Sequence, residues 1–424
     1  MDYAQINSLL HKEVIPAIGC TEPIAVSLCV AKACETLGML PKQIEVALSP
    51  NIYKNAMGVG IPNTGMTGLP IAVALGAIAG RSEYELEVLK DADSNAVAQA
   101  KEYLNSATIT IDIDRQTTQM LYIRVCATNG DDSAVAVIEG SHTNFTEISR
   151  NGEAILQIKS SQNLDQSDNQ DCTLTLKDVY TYATTVPLEQ IEWLKEAEAM
   201  NIAAAEVSFT GDYGHGLGRL MHNNAKQSIF GDTLFTKILS YTSGACDARM
   251  SGAMVPVMSN SGSGNQGISA TVPVVIFGRE KGVSQEALLR ALALSHLTVV
   301  YIKQSLGRLS ALCGCVVAAT GSSCGITYLM GGEFKEISFA VKNMVANLTG
   351  MICDGAKPSC SLKVTSGVST AVLSAVLAIE QRHTTSLEGI IDEDVDKCIA
   401  NLTNIGRNGM RETDKLILQI MTNK

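Results

Sequence analysis

The hydrophobic period of this chain changes in its first half, and that change limits the folds open to it. Residues 107–114 (ATITIDID), 119–127 (QMLYIRVCA) and 133–139 (SAVAVIE) alternate apolar and polar side chains, with Asn-Gly and Asp-Asp breaks. A period of two sends every second residue to one face, as in half-buried antiparallel strands. Ile44 to Leu48 alternates in the same way. Elsewhere the pattern is helical. A helix is expected over 2–39, interrupted at 15–19 and restarting where Thr21 can cap and Pro23 fits a first turn. Further helices are expected at 69–80, 83–105 and 186–205, with a polar loop over 163–171. From Gly216 onward the chain reads almost wholly as helices, punctuated by Gly-rich loops at 259–267, 313–325 and 353–368. The fold class implied is α+β. A mainly helical domain is formed by both chain ends, 1–42 and 185–424, with an α+β domain containing the antiparallel strands inserted over 43–184.

Charge and cysteine usage narrow the function. The 32 basic and 43 acidic residues leave a formal charge of −11. That balance argues against a nucleic-acid binder, which needs a concentrated basic face. The start MDYAQINSLLHKEVIP lacks the basic and apolar regions of a signal peptide, so a cytoplasmic protein is expected. Apolar runs such as Leu69 to Gly80 fall short of the roughly 20 residues of a membrane span, so no membrane is expected. Twelve cysteines in a 424-residue chain without a signal peptide read as packing, metal-binding or catalytic thiols rather than disulfides.

Three motifs carry chemistry. Cys353-Asp-Gly-Ala-Lys-Pro-Ser-Cys360 sets two thiols across a Gly/Pro turn that can fold both sulfurs toward one point, and Cys313-Gly-Cys315 lies upstream in another Gly-rich segment. Such soft ligands suit zinc or an iron–sulfur cluster, and spacing alone does not separate the two. Cys29, Cys34, Cys126, Cys172 and Cys398 read as packing residues. In Gly19-Cys20-Thr21-Glu22-Pro23 a cysteine precedes a helix start, where the dipole is expected to lower its thiol pKa. The loop Ser259-Asn-Ser-Gly-Ser-Gly-Asn-Gln-Gly267 is dense in backbone and side-chain donors suited to a carboxylate or phosphate, but lacks the Walker ending and the βαβ context of a dinucleotide loop. Lys54, Asn55, Asn63, Lys363 and the Arg407-Asn408-Gly409 segment are further polar groups in Gly-bearing contexts, and His215 is the histidine to test first.

IGCTEP (18–23), NIYKNAMGVGIPNTG (51–65), SNSGSGNQG (259–267), LSALCGC (309–315) and MICDGAKPSC (351–360) together resemble the L-cysteine desulfidase family, related to the iron–sulfur L-serine dehydratase α chain. The resemblance runs essentially the whole length. It implies a 4Fe–4S cluster on three cysteines, with one iron open to an amino-acid substrate. Carried onto this chain, Cys353 and Cys360 are two of the ligands. The third is Cys313, with Cys315 as the alternative. Cys20 is the implied proton-abstracting base. Lys54, Asn55, Asn63, Ser261, Ser263 and Asn265 are the expected substrate-binding residues, the 259–267 loop holding the carboxylate. The implied reaction is conversion of L-cysteine to pyruvate, ammonia and hydrogen sulfide without pyridoxal phosphate. L-serine dehydration on the same cluster and a non-enzymatic metal or redox sensor are the alternatives. The apolar helices make a homodimer the expected assembly.

Overall fold

The computed structural model describes residues 2–158, 173–223, 229–307 and 310–423. The polar segment expected over 163–171, and Cys172, lie outside them. The chain opens with α1 (Tyr3–Glu13), whose Asp2 cap accepts from Ala4 N at 2.9 Å. The short strand β1 (Pro16–Ile18) then leads into α2 (Thr21–Leu37). β2 (Gln43–Leu48), α3 (Pro50–Ala56) and α4 (Leu69–Ala79) come next. The helix expected over 83–105 is instead a 3-10 turn (Ser82–Glu87) and α5 (Ser94–Ser106). Asp93 makes the break, turning its carboxylate onto Ala96 N at 2.8 Å and starting a fresh helix.

β3 (Thr108–Ile113), β4 (Tyr122–Asn129), β5 (Asp132–Glu139), β6 (Phe145–Arg150) and β7 (Glu153–Gln157) complete the first half. The strands lie in the order β3-β2-β4-β5-β6-β7. β2 and β3 run parallel because α3 to α5 cross between them, and the other pairs are antiparallel. The alternation does its expected work: Ile123, Val125 and Ala127 of β4 and Ala134, Ala136 and Ile138 of β5 are buried. α2 covers that face, with α4 packed behind it. Their backbones touch: Ser27 Oγ donates to Ala72 O at 2.8 Å, and a Cβ on Gly76 would lie 2.7 Å from Ser27 O.

The remainder is helical: α6 (Leu176–Thr185), α7 (Leu194–Thr210), α8 (Leu217–Asn223), α9 (Leu234–Met250), strand β8 (Pro256–Met258), α10 (Gly264–Lys281), α11 (Gln285–Leu306), α12 (Gly314–Leu329), α13 (Phe334–Leu348), α14 (Cys360–Ile379), α15 (Val395–Asn404) and α16 (Arg411–Thr422). The Gly-rich loops expected at 313–325 and 353–368 are corrected here, since α12 and α14 occupy most of both, and α10 takes the last four residues of the one expected at 259–267. α12 is the axis of the bundle, touched by α10, α11, α13 and α14. Its small residues are contact points. A Cβ on Gly321 would lie 2.4 Å from Ser295 O, and one on Gly325 2.8 Å from Val274. Thr320 and Thr327 bond their hydroxyls to carbonyls one turn back, so neither hydroxyl is stranded.

Side chains gather into two cores. One lies over the sheet and takes α2 to α5; the other takes α1 and the helices from α6 onward. α2 is apolar nearly all round and needs cover from both sheet and α4. By length and composition α14, at 20 residues and mean hydropathy 1.7, would pass for a membrane span, a test that the core helix of a globular protein also passes. It packs against α9, α12 and α13.

The tightest of the close approaches joins β8 to α10. A Cβ on Gly267, in the first turn of α10, would lie 1.9 Å from Met258 O of β8. Gly267→Ala is therefore expected to cost about 3 kcal/mol or more by overpacking. Gly350→Ala, where nothing lies within 4 Å of the new atom, should be nearly silent. Urea unfolding of the two variants measures the difference.

Candidate active site

β1 and β8 pair antiparallel, Pro16 against Met258 and Ile18 against Pro256. This short ladder sets the Cys20 turn beside the 259–267 loop. The contact continues past the strands: Ser259 donates from N (2.8 Å) and Oγ (2.7 Å) to Ile15 O, and Ser261 N donates to Glu13 O at 2.9 Å. Thr21 Oγ1 reaches Gly262 O at 3.2 Å.

Cys20 occupies the N-cap of α2 with extended backbone (φ −98°, ψ 133°) and is 4% exposed. Its thiol donates to Glu22 Oε2 at 3.0 Å. The expectation of a lowered thiol pKa is overturned. Burial, then the charge of Glu22, raise it far above its ordinary value, while Arg249 acts in the opposite sense. The dipole of a helix end does not offset loss of water around the thiolate. Glu22 also accepts from Thr21 Oγ1 (3.1 Å), and its other oxygen from Asn55 Nδ2 (3.3 Å). Asn55 therefore orients this carboxylate. Glu22 carries no separate sequence signal beyond its place two residues after Cys20.

The 259–267 loop is braced from beneath by buried amides and an imidazole. Asn201 of α7 clamps Met258, accepting from its N at 2.8 Å and donating to its O at 3.2 Å. Thr271 Oγ1 donates to Gly267 O (2.7 Å), so it accepts from His296 Nε2 (3.0 Å). Nδ1 of His296 then accepts from Asn260 Nδ2 (3.0 Å), which fixes a neutral Nε2–H tautomer. Ser261 Oγ is spent on Asn260 Oδ1 (2.8 Å), and Asn265 Oδ1 accepts from Arg249 Nη1 (3.1 Å). Ser263 is the N-cap of α10, and its hydroxyl makes no capping bond.

A second backbone contact sets the Cys313 and Cys353 segments side by side. Cys313 N donates to Met351 O (2.9 Å) and Cys353 N to Ala311 O (2.7 Å), around a Leu312–Ile352 bridge. Cys360 begins α14 after the Lys357-Pro358-Ser359 turn, its Sγ 3.6 Å from Gly355 O. Gly355 (φ 88°) is required because a Cβ there would lie 2.1 Å from Lys54 O, so this loop presses on α3. Cys315 is buried, and a thiol–thiol hydrogen bond of 3.4 Å joins it to Cys313. That bond, aided by Lys363 and Lys357, brings the Cys313 thiol down to about 7 despite burial. Cys315 moves the other way, for the same bond and for its burial. Burial foremost also raises Cys353 and Cys360, with Lys54 opposing at the first and Lys357 at the second. Cys246, mid-α9, is a further buried sulfur within electrostatic reach of Cys360 and Cys313. Nothing in its helical sequence context marks it.

Among the described residues no three His, Cys, Asp or Glu side chains are gathered so as to hold a metal ion as they stand. The fit to a cluster lies in donor chemistry: soft thiols on converging segments, with Lys54, Lys357 and Lys363 supplying positive charge around them. Lys54 is 2% exposed and bonded to Asp414 of α16 at 2.5 Å. Lys363 is engaged by Asp354 and by Ile352 O. Three expected groups do not join the centre. Asn63 is exposed, in a left-handed turn (φ 61°), with its amide on Ala92 O at 3.4 Å. His215 is exposed, and Arg407 and Asn408 lie on an exposed π-turn. Arg249, by contrast, has no motif to announce it and lies across the first turn of α10, where a Cβ on Gly264 would fall 2.2 Å from its Nε.

Burial lowers the His296 pKa from 6.5 to about 3. The unfolded chain then binds a proton that the folded one refuses. Stability from this group is full above pH 6.5 and is lost as pH falls toward 3, at about 1.4 kcal/mol per unit. Urea unfolding at pH 7, 6 and 5 should show a shallower pH slope for His296→Gln than for the wild type.

The family model described as "Serine dehydratase alpha chain" matches residues 83–419. A UPF0597 protein of Bacteroides thetaiotaomicron is 62% identical over 420 residues, covering 99% of this chain and 98% of its own. A UPF0597 protein of Bacteroides fragilis is 61% identical with the same coverage, and one of Porphyromonas gingivalis is 50% identical over 99% of this chain and 98% of its own. The chain belongs to the serine dehydratase alpha chain family, within its UPF0597 members.

Proposed function

We propose that this protein is a pyridoxal-phosphate-independent L-cysteine desulfidase, eliminating L-cysteine to pyruvate, ammonia and hydrogen sulfide in the cytoplasm. What supports the reading is the Cys20–Glu22 proton pair on one side of the 259–267 segment and the backbone contact between the Cys313 and Cys353 segments on the other. Two contacts tie the halves together. Gly314, next to Cys313, packs on Gln266 of the loop, where a Cβ would lie 3.0 Å from the side chain. Arg249 acts electrostatically on both Cys20 and Cys246.

β-Elimination needs a base at Cα and help for the leaving group at Cβ. The Cys20 thiol already points its proton at Glu22 Oε2. Transfer of that proton to Glu22 leaves a thiolate, which takes the Cα proton. The Cα–H electron pair becomes the Cα=Cβ bond as the Cβ–S bond breaks and hydrosulfide departs. Aminoacrylate released in this way tautomerises and hydrolyses to pyruvate and ammonia. A buried thiol with a raised pKa makes a stronger base once deprotonated, and Asn55 and Thr21 hold Glu22 in position to receive its proton. A 4Fe–4S cluster, held by Cys313, Cys353 and Cys360, supplies a Lewis acid for the leaving group when bound. Cys313 is preferred to Cys315 as the third ligand because its thiol is the one of the two moved toward ionisation.

The second reading is L-serine dehydration at the same centre, favoured by the family description. Anaerobic reconstitution followed by parallel assays of sulfide from L-cysteine and pyruvate from L-serine separates the two. Cys20→Ala is expected to keep iron and lose about 10²–10⁴-fold in turnover. Cys360→Ala and Cys313→Ser should lose iron, and Cys315→Ser should retain it. A higher kcat/KM for serine turns the assignment to a dehydratase. Reconstituted protein that releases product from neither amino acid ends the elimination reading.

A further inference from the structure

Arg249 is a buried cation with too few partners. It is 2% exposed, and its one hydrogen bond among the described residues runs from Nη1 to Asn265 Oδ1 at 3.1 Å. Its Nε finds no acceptor there. Glu22, the buried acid beside Cys20, is engaged by Cys20, Thr21 and Asn55 instead. An unpaired buried guanidinium is costly, and its place in the last turn of α9 offsets only part of that.

Its position makes the imbalance larger. The guanidinium lies over Gly264, whose missing Cβ leaves the room it fills. The first intrahelical bond of α10 is Gly267 N to Ser263 O at 3.1 Å, so the N–H groups of Gly264, Asn265 and Gln266 precede it and are unspent within the helix. A cation and the positive end of an 18-residue helix therefore face the same small volume. One more group is unsatisfied. Gln266 is 4% exposed, its Oε1 has no donor among the described residues, and Gly314 lies against it on the side of the thiols.

We propose that Arg249, with the first turn of α10, binds the carboxylate of an α-amino acid, and that Gln266 Oε1 accepts from its ammonium. The assignment rests on the elimination reading above and deepens it. It also moves the carboxylate from the hydroxyls of Ser261 and Ser263 to a guanidinium. Ser261 Oγ is already committed to Asn260, whereas a planar fork offers two parallel donors matched to a carboxylate. A carboxylate on Arg249 lies in the electrostatic neighbourhood of Cys20, as a Cα awaiting its base must.

The test is calorimetric titration of anaerobically reconstituted protein with L-alanine, which keeps carboxylate and ammonium but has no leaving group. L-Alaninamide, lacking the carboxylate, is the control. Wild type should bind alanine, Arg249→Gln should lose about fifty- to a hundredfold in affinity, and Arg249→Lys should lose less. Alaninamide should bind wild type weakly and be indifferent to the substitution. Because Arg249→Gln removes an uncompensated charge, the ligand-free variant should have a Tm equal to or above wild type, opposite to the effect of losing a structural arginine. Alanine affinity within threefold of wild type in Arg249→Gln, or equal binding of alanine and alaninamide by wild type, overturns the proposal. Unchanged KM and turnover for cysteine in Arg249→Gln overturn it too, with the elimination reading intact. Alanine binding that depends on Arg249, in a protein that forms no pyruvate, supports the carboxylate site and ends the elimination reading.

Discussion

The antiparallel contact between Pro16–Ile18 and Pro256–Met258 is the join on which the rest of the centre depends. It is a short ladder, and by itself would be marginal. What holds it is the company it keeps. Ser259 and Ser261 extend it along the N-terminal segment, and Asn201 takes the backbone of Met258 from the outside as a neighbouring strand would. Gly267 lets the first turn of α10 close onto the same carbonyl. His296 is part of this brace rather than a reacting group, for its two ring nitrogens are both committed to Asn260 and Thr271.

The centre is governed by how little water reaches it. A helix start usually favours a thiolate, yet Cys20 is held as a thiol because desolvation exceeds the dipole. The same desolvation makes Arg249 expensive and Gln266 unsatisfied. Cys313 alone among these thiols is moved toward ionisation, by a sulfur–sulfur hydrogen bond and lysines rather than by exposure. Cys313 and Cys20 are thus moved in opposite directions.

Much of this is legible in the residues, and what is not has identifiable causes. Strands β2 to β5 can be read from period-two alternation, but β6 and β7 cannot, because FTEISR puts a polar Thr146 on its buried face and EAILQ is exposed nearly throughout. α12 reads as a loop because Gly, Ser and Ala serve both turns and close helix contacts, and only the neighbours of Gly321 and Gly325 tell which. Cys353 and Cys360 announce themselves by a Gly/Pro turn. Cys246 and Arg249 do not, since in sequence they are ordinary residues of a helix. Glu22 lies inside a recognised motif, but only its partners in the fold give it a role. The family itself is readable from motifs, and comparison bears that out.

The bond between Lys54 and Asp414 ties the last helix to a segment near the beginning of the chain. α16 thereby closes the wall behind the loop that carries Cys353 and Cys360, with Met421 reaching to within 3.5 Å of where a Gly355 side chain would start. Residues from Cys20 to Asp414 must meet before the centre exists. Such long loops close late in folding. During synthesis, then, the thiols emerge before their shelter does, and an N-terminal fragment carries Cys20 without Cys313, Cys353 and Cys360. The shelter of the Cys353–Cys360 loop is in consequence coupled to the arrival of α16 rather than to the appearance of any one cysteine.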